Sequence, residues 1–210
     1  MKKIEFLVSF ITGFAFLMSL YFYNSLPDVM ETHWDYLGNP DGYMKKLPAL
    51  FFIPSIMIFL NLLFFAIPKI DPLKENIKKF RKHYYIFILV FSIFMLVLHS
   101  HLILWNIGIK IHTNSIMSVS FALLFFYIGV LLENTKRNWF IGIRTPWTLS
   151  SDEVWEKTHS IGSKMFKISS LFCIIGFFAK DYAMFFILLP AIFSAAYCVV
   201  YSYFIYKKSK

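Results

Sequence analysis

The sequence predicts an all-α fold: a polytopic membrane helix bundle with six transmembrane helices and both termini in the cytosol. Two observations carry this prediction, the recurrence of long apolar runs and an uneven distribution of lysine and arginine between them. Of the 210 residues, 58% are hydrophobic and only 16% are charged, whereas soluble domains are about 45–50% apolar and about 25% charged. The 26 phenylalanines alone would give a soluble fold more apolar surface than it could bury.

Six apolar segments are long enough to cross a bilayer. The hydrocarbon core is about 30 Å thick and a helix rises about 1.5 Å per residue, so one crossing takes about 20 residues. The fifth segment is the weakest, because Ser163, Lys164 and Lys167 lie near its start. The segments are Ile4–Tyr23, Leu47–Ile67, Tyr85–Trp105, Ser115–Leu132, Ile161–Ala179 and Ala183–Tyr206.

The lysines and arginines orient the bundle. Seventeen of the 21 lie at the N-terminus, in the connections after the second and fourth segments, at the start of the fifth segment, or in the C-terminal tail. The other four are Lys45, Lys46, Lys110 and Lys180. Because positive residues collect on the cytosolic side of membrane proteins, both termini are predicted to be cytosolic. This topology also accounts for the net charge of +9, so no nucleic-acid partner is expected.

Few chemically distinctive residues lie within the segments. Cys173 and Cys198 both fall in apolar runs, so they are expected to be buried thiols rather than a disulfide. Asn61 lies in the middle of a segment and is expected to hydrogen-bond a neighbouring helix. Pro54 and Pro190 lie inside the second and sixth segments, where neighbouring helices can satisfy the carbonyl that each proline frees.

An extracellular loop, residues 24–46, is predicted between the first two segments. Its Asn39–Gly42 stretch has the residue types of a β-turn, since proline presets φ at the second position and asparagine and glycine suit the first and fourth. Val29–Trp34 is consistent with a short strand, on which Glu31, His33 and Asp35 would share one face. That face is either solvated or a metal site of the kind that histidine and carboxylates form. We favour the solvated face, so no metal and no cofactor is expected.

A cytosolic loop, residues 133–160, is predicted between the fourth and fifth segments. Ser150–Glu153 fits a capping box, in which Ser150 caps a helix start and Glu153 bonds back to the Ser150 amide. The helix that follows carries Trp155, His159, Gly162 and Phe166 at spacings of 4, 3 and 4, which places them on one face.

The loop before that helix is expected to be irregular. Thr145 should be extended because Pro146 follows it, and Gly142 should supply a positive φ or a close backbone approach. Arg144 suits a lipid phosphate, a helix C-terminus or an acidic partner. The loop is therefore either a membrane anchor or a specific recognition surface. The tryptophans that suit the headgroup layer are Trp139, Trp147 and Trp155.

Both loops resemble known family signatures. Leu26-Pro27, Thr32–Trp34 and Gly38–Gly42 are similar to an uncharacterised membrane domain that precedes SdpI-type segments in bacterial and archaeal membrane proteins. The stretch from Asn138 to His159 resembles the signature of the SdpI family itself. The candidate binding residues of the cytosolic loop are Asn138, Gly142, Arg144, Thr145, Pro146, Trp147, Asp152, Trp155 and His159, and the matching residues of the extracellular loop are His33, Trp34, Gly38, Pro40 and Asp41.

This resemblance implies a function. SdpI-type proteins confer immunity to a secreted peptide toxin that damages the producing cell's membrane, and they are implicated in signalling by holding a transcriptional repressor at the membrane. The resemblance thus implies a multi-pass cell-membrane protein whose partners are lipids, a peptide toxin outside and a repressor inside. We divide the chain into residues 1–70, the first two transmembrane helices with their loop, and residues 71–210, an SdpI-like four-helix region.

Enzymes and transporters are the other functional classes that a small membrane protein could belong to. The sequence contains no zinc-protease, hydrolase, phosphate-loop or dinucleotide motif, so no enzymatic activity is expected. A small transporter or channel is the main alternative and would need a polar cavity lined by Asn61, His99 and Asn106. A membrane metalloenzyme would need the extracellular metal site described above, and an outer-surface cluster of His99, His101 and His112 is a further option.

Overall fold

The computed structural model describes residues 2–209, which form seven α-helices and one antiparallel β-hairpin. Two single 3-10 turns, Tyr23–Ser25 and Lys180–Tyr182, precede the hairpin and the last helix. In chain order the elements are α1 (Lys2–Phe22), β1 (Val29–Trp34), β2 (Pro40–Lys45), α2 (Lys46–Ile70), α3 (Lys74–Asn106), α4 (Thr113–Asn134), α5 (Pro146–Ser150), α6 (Asp152–Phe178) and α7 (Ala183–Lys208).

Six of the helices are long and apolar enough to cross a membrane: α1, α2, α3, α4, α6 and α7. The predicted six-helix, all-α membrane bundle is confirmed, and the chain is a multi-pass membrane protein. An even number of crossings places both chain ends and the α4–α6 connection on one side, which we call the terminal side. The β-hairpin lies on the opposite side, the hairpin side. Which of the two sides faces the cytosol stays a prediction.

The helices extend beyond the apolar segments that predicted them. α3 begins at Lys74, well before the predicted Tyr85, because the basic stretch ahead of the apolar run consists largely of good helix formers. The two parts of α3 meet at Phe80, whose φ of −117° and ψ of 17° are not helical. Pro54 and Pro190 lie inside α2 and α7, as predicted.

The spans form two packed groups joined by α3 and α4. In the first group α1, α2 and α3 pack on one another, and in the second α6 packs on both α4 and α7. The α4–α6 contact is close because Gly129 has no side chain: a Cβ there would lie 2.8 Å from the Ser163 carbonyl oxygen. Small residues let membrane helices approach in this way.

Polar side chains tie the first group together. Asn61 of α2 donates to the Thr12 hydroxyl of α1 at 3.0 Å and accepts from the Ser92 hydroxyl of α3 at 3.3 Å. The predicted interhelical hydrogen bond of Asn61 is therefore confirmed, and it joins three helices rather than two. Cys173 and Cys198 are buried free thiols, as predicted.

Candidate functional site

The terminal-side loop, residues 135–151, begins with a turn that Asn138 closes. The Asn138 amide oxygen accepts from the backbone N–H groups of Phe140 at 2.9 Å and Ile141 at 2.6 Å. Its amide nitrogen donates to the carbonyls of Lys136 at 2.8 Å and Ile141 at 2.9 Å. All four hydrogen bonds that an asparagine side chain can make are thus used inside the turn, and Asn138 is fully buried.

Gly142 places the chain against α6. Its φ is +113°, and a Cβ at this position would lie 2.4 Å from His159 Nε2. Both predictions for Gly142, a positive φ and a close approach, are confirmed. The next residue, Ile143, donates its N–H to His159 Nε2 at 2.9 Å, and His159 Nδ1 bonds the Trp155 carbonyl at 2.8 Å. His159 is therefore held as the neutral tautomer that carries its proton on Nδ1.

The three loop tryptophans occupy different environments. Trp155 is only 1% exposed, stacks on His159 with 4.0 Å between ring centroids, and donates its indole N–H to the Thr135 carbonyl at 3.2 Å. The expectation that it lies in the headgroup layer is wrong, because its ring fills the space under the loop. Trp139 is 50% exposed, whereas Trp147 is half-buried against the Tyr203 ring of α7.

Thr145 starts α5 and links the loop to α7. Its backbone is extended (φ −112°, ψ 162°), as the following Pro146 requires. Thr145 and Thr148 cap each other reciprocally, with the Thr148 N–H 3.1 Å from Thr145 Oγ1 and the Thr145 N–H 2.9 Å from Thr148 Oγ1. The Thr145 hydroxyl also lies 3.0 Å from the Ser202 hydroxyl.

The predicted capping box of Ser150 and Glu153 is wrong: the N-cap lies one residue later, at Ser151, and Glu153 pairs with Lys157 instead. Ser150 is the last residue of α5, and Ser151 caps α6, with the Val154 N–H 3.4 Å from its hydroxyl oxygen. A cap must have an extended backbone, and Ser151 is the residue with φ −146° and ψ 129°. Asp152 is exposed and pairs with Arg137 at 2.7 Å.

Two residues that the sequence did not single out hold this loop to the α2–α3 connection. One Asp71 carboxylate oxygen accepts from the Trp139 N–H at 2.9 Å and the other from the Leu73 N–H at 2.6 Å. Asn76 donates to the Arg137 carbonyl at 2.9 Å. Asp71 precedes a proline at a helix end, a position at which aspartate commonly accepts hydrogen bonds from nearby backbone N–H groups. This sequence context could have indicated that Asp71 bonds the backbone.

On the opposite side, the predicted strand β1 exists, but the predicted turn is misplaced. The chain reverses at Asp35–Asn39, where an Asp35 carboxylate oxygen accepts from the N–H groups of Leu37 at 2.9 Å and Asn39 at 2.8 Å. These hydrogen bonds, that of Asn39 foremost, lower the pKa of Asp35. Gly38 has the positive φ (+86°) that the reversal needs. Pro40, Asp41 and Gly42 lie within β2 instead.

Glu31, His33 and Asp35 do not converge on a common point. Glu31 accepts from Lys110 Nζ at 2.9 Å and from the Trp105 indole N–H, and these two bonds lower its pKa. His33 pairs with Asp41 instead. Within residues 2–209, no three histidine, cysteine or acidic side chains are grouped to hold a metal ion.

Two asparagines that were not predicted as hairpin contacts fasten it to the bundle. Asn106 at the end of α3 accepts from the Glu31 N–H at 2.8 Å and donates to the Glu31 carbonyl at 2.9 Å, as a neighbouring strand would. Asn114 of α4 is buried and donates to the Tyr36 carbonyl and the Lys180 carbonyl, each at 3.0 Å. A Cβ on the buried Gly38 would come within 3.5 Å of Asn114.

The residues proposed for a transporter cavity do not share one. Asn61 bonds α1 and α3, Asn106 bonds the hairpin, and His99 Nε2 lies 3.0 Å from the Ser19 hydroxyl of α1. The outer-surface histidine cluster is also wrong, because His99 and His101 are buried while His112 is exposed.

Comparison with known proteins gives matches in both regions. Residues 134–202 match the family model of the SdpI/YfhL protein family, and residues 10–58 match a domain of unknown function, DUF1648. The Immunity protein SdpI of Bacillus subtilis (strain 168) is 24% identical over 196 residues, which is 92% of this chain and 91% of that protein. No solved structure matches the chain. The predicted resemblance to the SdpI family, with its accompanying N-terminal domain, is confirmed.

Proposed function

We propose that this protein is an SdpI-like membrane immunity protein, which protects its cell against a secreted, membrane-active peptide toxin. The observation that carries the proposal is the extent of the similarity to the Immunity protein SdpI, which covers 92% of the chain. That similarity takes in the hairpin region as well as the terminal-side loop, so it is a likeness of the whole bundle. No enzymatic activity forms part of the proposal.

The two surface elements take separate roles in this proposal. The hairpin side faces outward and meets the toxin, and the terminal side faces the cytosol. The terminal-side loop exposes Trp139, Phe140 and Arg144, which form an aromatic and cationic surface for lipid headgroups and a repressor protein. The charge distribution along the chain supports this orientation.

The candidate residues of the loop divide by exposure. Asn138, Thr145, Trp155 and His159 are buried and bonded within the protein, so we infer that they preserve the shape of the loop. Gly142 is exposed but has no side chain, so the exposed or half-buried candidates with a side chain left to meet a partner are Arg144, Pro146, Trp147 and Asp152. Arg144 makes one hydrogen bond to the Trp139 carbonyl at 2.8 Å, and the rest of its guanidinium remains available for a carboxylate or phosphate.

Toxin challenge tests the protective role. The protein is expressed in a Bacillus subtilis strain that lacks its own immunity protein, and growth is followed in the presence of the toxin. We expect wild-type protein to restore growth and Trp155→Ala to restore less, because that variant removes the ring under the loop. Membrane levels are matched by immunoblot. Failure of well-expressed wild-type protein to protect would contradict the proposal.

The signalling role needs a second readout in the same cells. Toxin-dependent transcription is measured alongside growth for Trp139→Ala and Arg144→Ala, both of which change exposed residues. We expect these variants to keep protection and to lose most of the transcriptional response. If both variants signal like wild type, the exposed surface of the loop does not hold a repressor.

The orientation can be measured with single cysteines. Because Cys173 and Cys198 are buried, a membrane-impermeant maleimide should react with them little. Tyr36→Cys in the hairpin and Ser209→Cys in the tail change exposed residues on opposite sides. Intact cells should label position 36 and leave position 209 unlabelled until they are permeabilised. The reverse pattern would overturn the orientation.

A further inference from the structure

A cavity of about 430 Å³ lies directly under the hairpin, between the two helix groups. Its walls come from α2 of the first group, α4 and α7 of the second, and α3 between them. α2 packs on α1 and α3, whereas α7 packs on α6 and α4, so the two helices flank a crevice that faces the bilayer. The volume falls within the range of small-molecule sites, about 300–1,000 Å³.

The lining of the cavity changes with depth. Next to the hairpin it is formed by polar side chains, including Thr32, Thr113 and Asn114. Deeper it becomes apolar, with Phe52 of α2 and Phe121 of α4. Phe121 lies eight residues after Thr113, so the cavity follows α4 for about 12 Å toward the bilayer centre. A polar mouth and an apolar interior match an amphiphile whose head stays at the membrane surface.

Two residues that line the cavity, Trp34 and His101, each have a buried polar atom without a partner in the described part of the chain. Within residues 2–209, neither the indole N–H of Trp34 nor Nδ1 of His101 makes a hydrogen bond. His101 is only 3% exposed. Its other ring nitrogen, Nε2, lies 3.1 Å from the Thr113 hydroxyl. The rings of Trp34 and His101 are in contact, with 5.1 Å between centroids, and both border the cavity. Buried polar groups in proteins are nearly always hydrogen-bonded.

We propose that this cavity binds one fatty acyl chain, with its carboxylate or ester carbonyl beside Trp34 and His101 and its tail along Phe52 and Phe121. An indole N–H can only donate, so the group that completes this site must bring an acceptor oxygen. A free fatty acid and a membrane phospholipid both carry such an oxygen next to a long apolar chain. This lipid site is independent of the immunity role, and its test uses no toxin.

Native mass spectrometry of the purified, delipidated protein tests the site. The protein is titrated with oleate and, in parallel, with dioleoylphosphatidylglycerol. We expect one saturable lipid per chain, and the lipid that saturates identifies the source. Binding by oleate alone indicates a free fatty acid, and binding by the phospholipid indicates a membrane lipid. Adduct numbers that rise linearly with both lipids would overturn the proposal.

A matched pair of tryptophan substitutions on α7 locates the binding. Met184 lines the cavity, whereas Leu188 lies one turn further along the helix, is 46% exposed and does not line it. Met184→Trp fills the cavity and should weaken lipid binding at least about tenfold, since it displaces several buried methylenes of the tail. Leu188→Trp should bind like wild type. Equal lipid affinities of the two variants would contradict the placement of the lipid tail in this cavity.

Trp34→Phe tests the head of the site without filling it. The substitution keeps an aromatic ring and removes the unpartnered N–H, so affinity for the saturating lipid should fall about threefold to tenfold. The thermal stability of the lipid-free protein is measured in the same preparation and should not fall. Unchanged lipid affinity in Trp34→Phe would contradict the role given to its indole N–H, whatever the outcome of the α7 pair.

Discussion

The buried tryptophan and histidine side chains on the two sides of this protein differ in how far their ring nitrogens are hydrogen-bonded. On the terminal side, every side-chain nitrogen of Asn138, Trp155 and His159 has a partner in the loop or in α6. On the hairpin side, Trp34 and His101 each leave one nitrogen without a partner within the described residues 2–209, beside a cavity. The loop therefore fixes its own shape, while the hairpin side keeps hydrogen-bonding capacity for something outside the chain. Substitutions can test each half of this difference.

Gly142→Ala should cause the largest loss of stability, about 3 kcal/mol or more. The substitution places a side chain at φ +113° and 2.4 Å from His159 Nε2, so it adds backbone strain to a direct clash in the loop. The free energy of unfolding in mixed micelles measures the effect. Gly108→Ala is the matched control, because Gly108 also has a positive φ (+100°) but nothing lies within 4 Å of its Cβ position. Equal losses in the two variants would show that the close packing of the loop contributes nothing.

Two tryptophan-to-phenylalanine substitutions compare the elements directly. Trp155→Phe removes an indole N–H that bonds the Thr135 carbonyl, leaves that buried carbonyl unpaired, and should cost about 2 kcal/mol. Trp34→Phe removes an N–H that has no partner among residues 2–209 and should change stability by less than about 1 kcal/mol. Thermal unfolding in detergent measures both. A larger loss for Trp34→Phe would reverse the comparison.

Asn106→Ala should loosen the hairpin and leave the terminal-side loop unaffected. The substitution removes both hydrogen bonds to the Glu31 backbone, which together are worth about 1–2 kcal/mol. Hydrogen exchange should speed up at the amides of β1 and β2, with no change at Ile141 or Ile143. Equal protection in wild type and variant would mean that the other bonds to the hairpin, from Asn114, Trp105 and Lys110, are enough to hold it.

The smallest expected effect is a pH dependence of the hairpin. The bonds from Lys110 and Trp105 lower the pKa of Glu31 below its usual 4.5, so they stabilise the fold above that pH. This stabilisation is lost as the pH falls further, through the lowered pKa of the folded state. It should amount to less than about 1 kcal/mol, because the pair is partly exposed. The protection factors of the hairpin amides at pH 6 and pH 3.5, which correct for the pH dependence of exchange itself, measure this loss, and Glu31→Gln should reduce the difference.

Features set by local rules were predictable from the sequence. Apolar length predicted the six crossings, the following proline predicted the extended Thr145, and the glycine at position 142 predicted a positive φ. The N-cap of α6 was missed because Ser150 and Ser151 are equally good caps, and the choice between them depends on where α5 ends. The turn was misplaced for a similar reason, since Asp35–Asn39 and Asn39–Gly42 both have turn-forming residues.

Contacts between residues far apart in the sequence could not be predicted from such local rules. The bonds from Asn106 to Glu31 join positions 75 residues apart, and nothing near either residue indicates the pairing. Burial of Trp155 was missed because the same aromatic spacing suits a headgroup layer and a packed loop. The cavity under the hairpin requires four helices and both strands of the hairpin to meet, and it therefore becomes visible only in the folded chain.

The length of α3 bears on how a change on one side of the membrane could affect the other side. Asn76 near its start bonds the terminal-side loop and Asn106 at its end bonds the hairpin. One kinked helix, about 45 Å long between these residues, therefore contacts both surface elements. Helix shifts of about 1–2 Å accompany allosteric switching at subunit interfaces. A displacement of the hairpin would therefore act on the same helix that contacts the loop, and the bend at Phe80 lies between the two contacts.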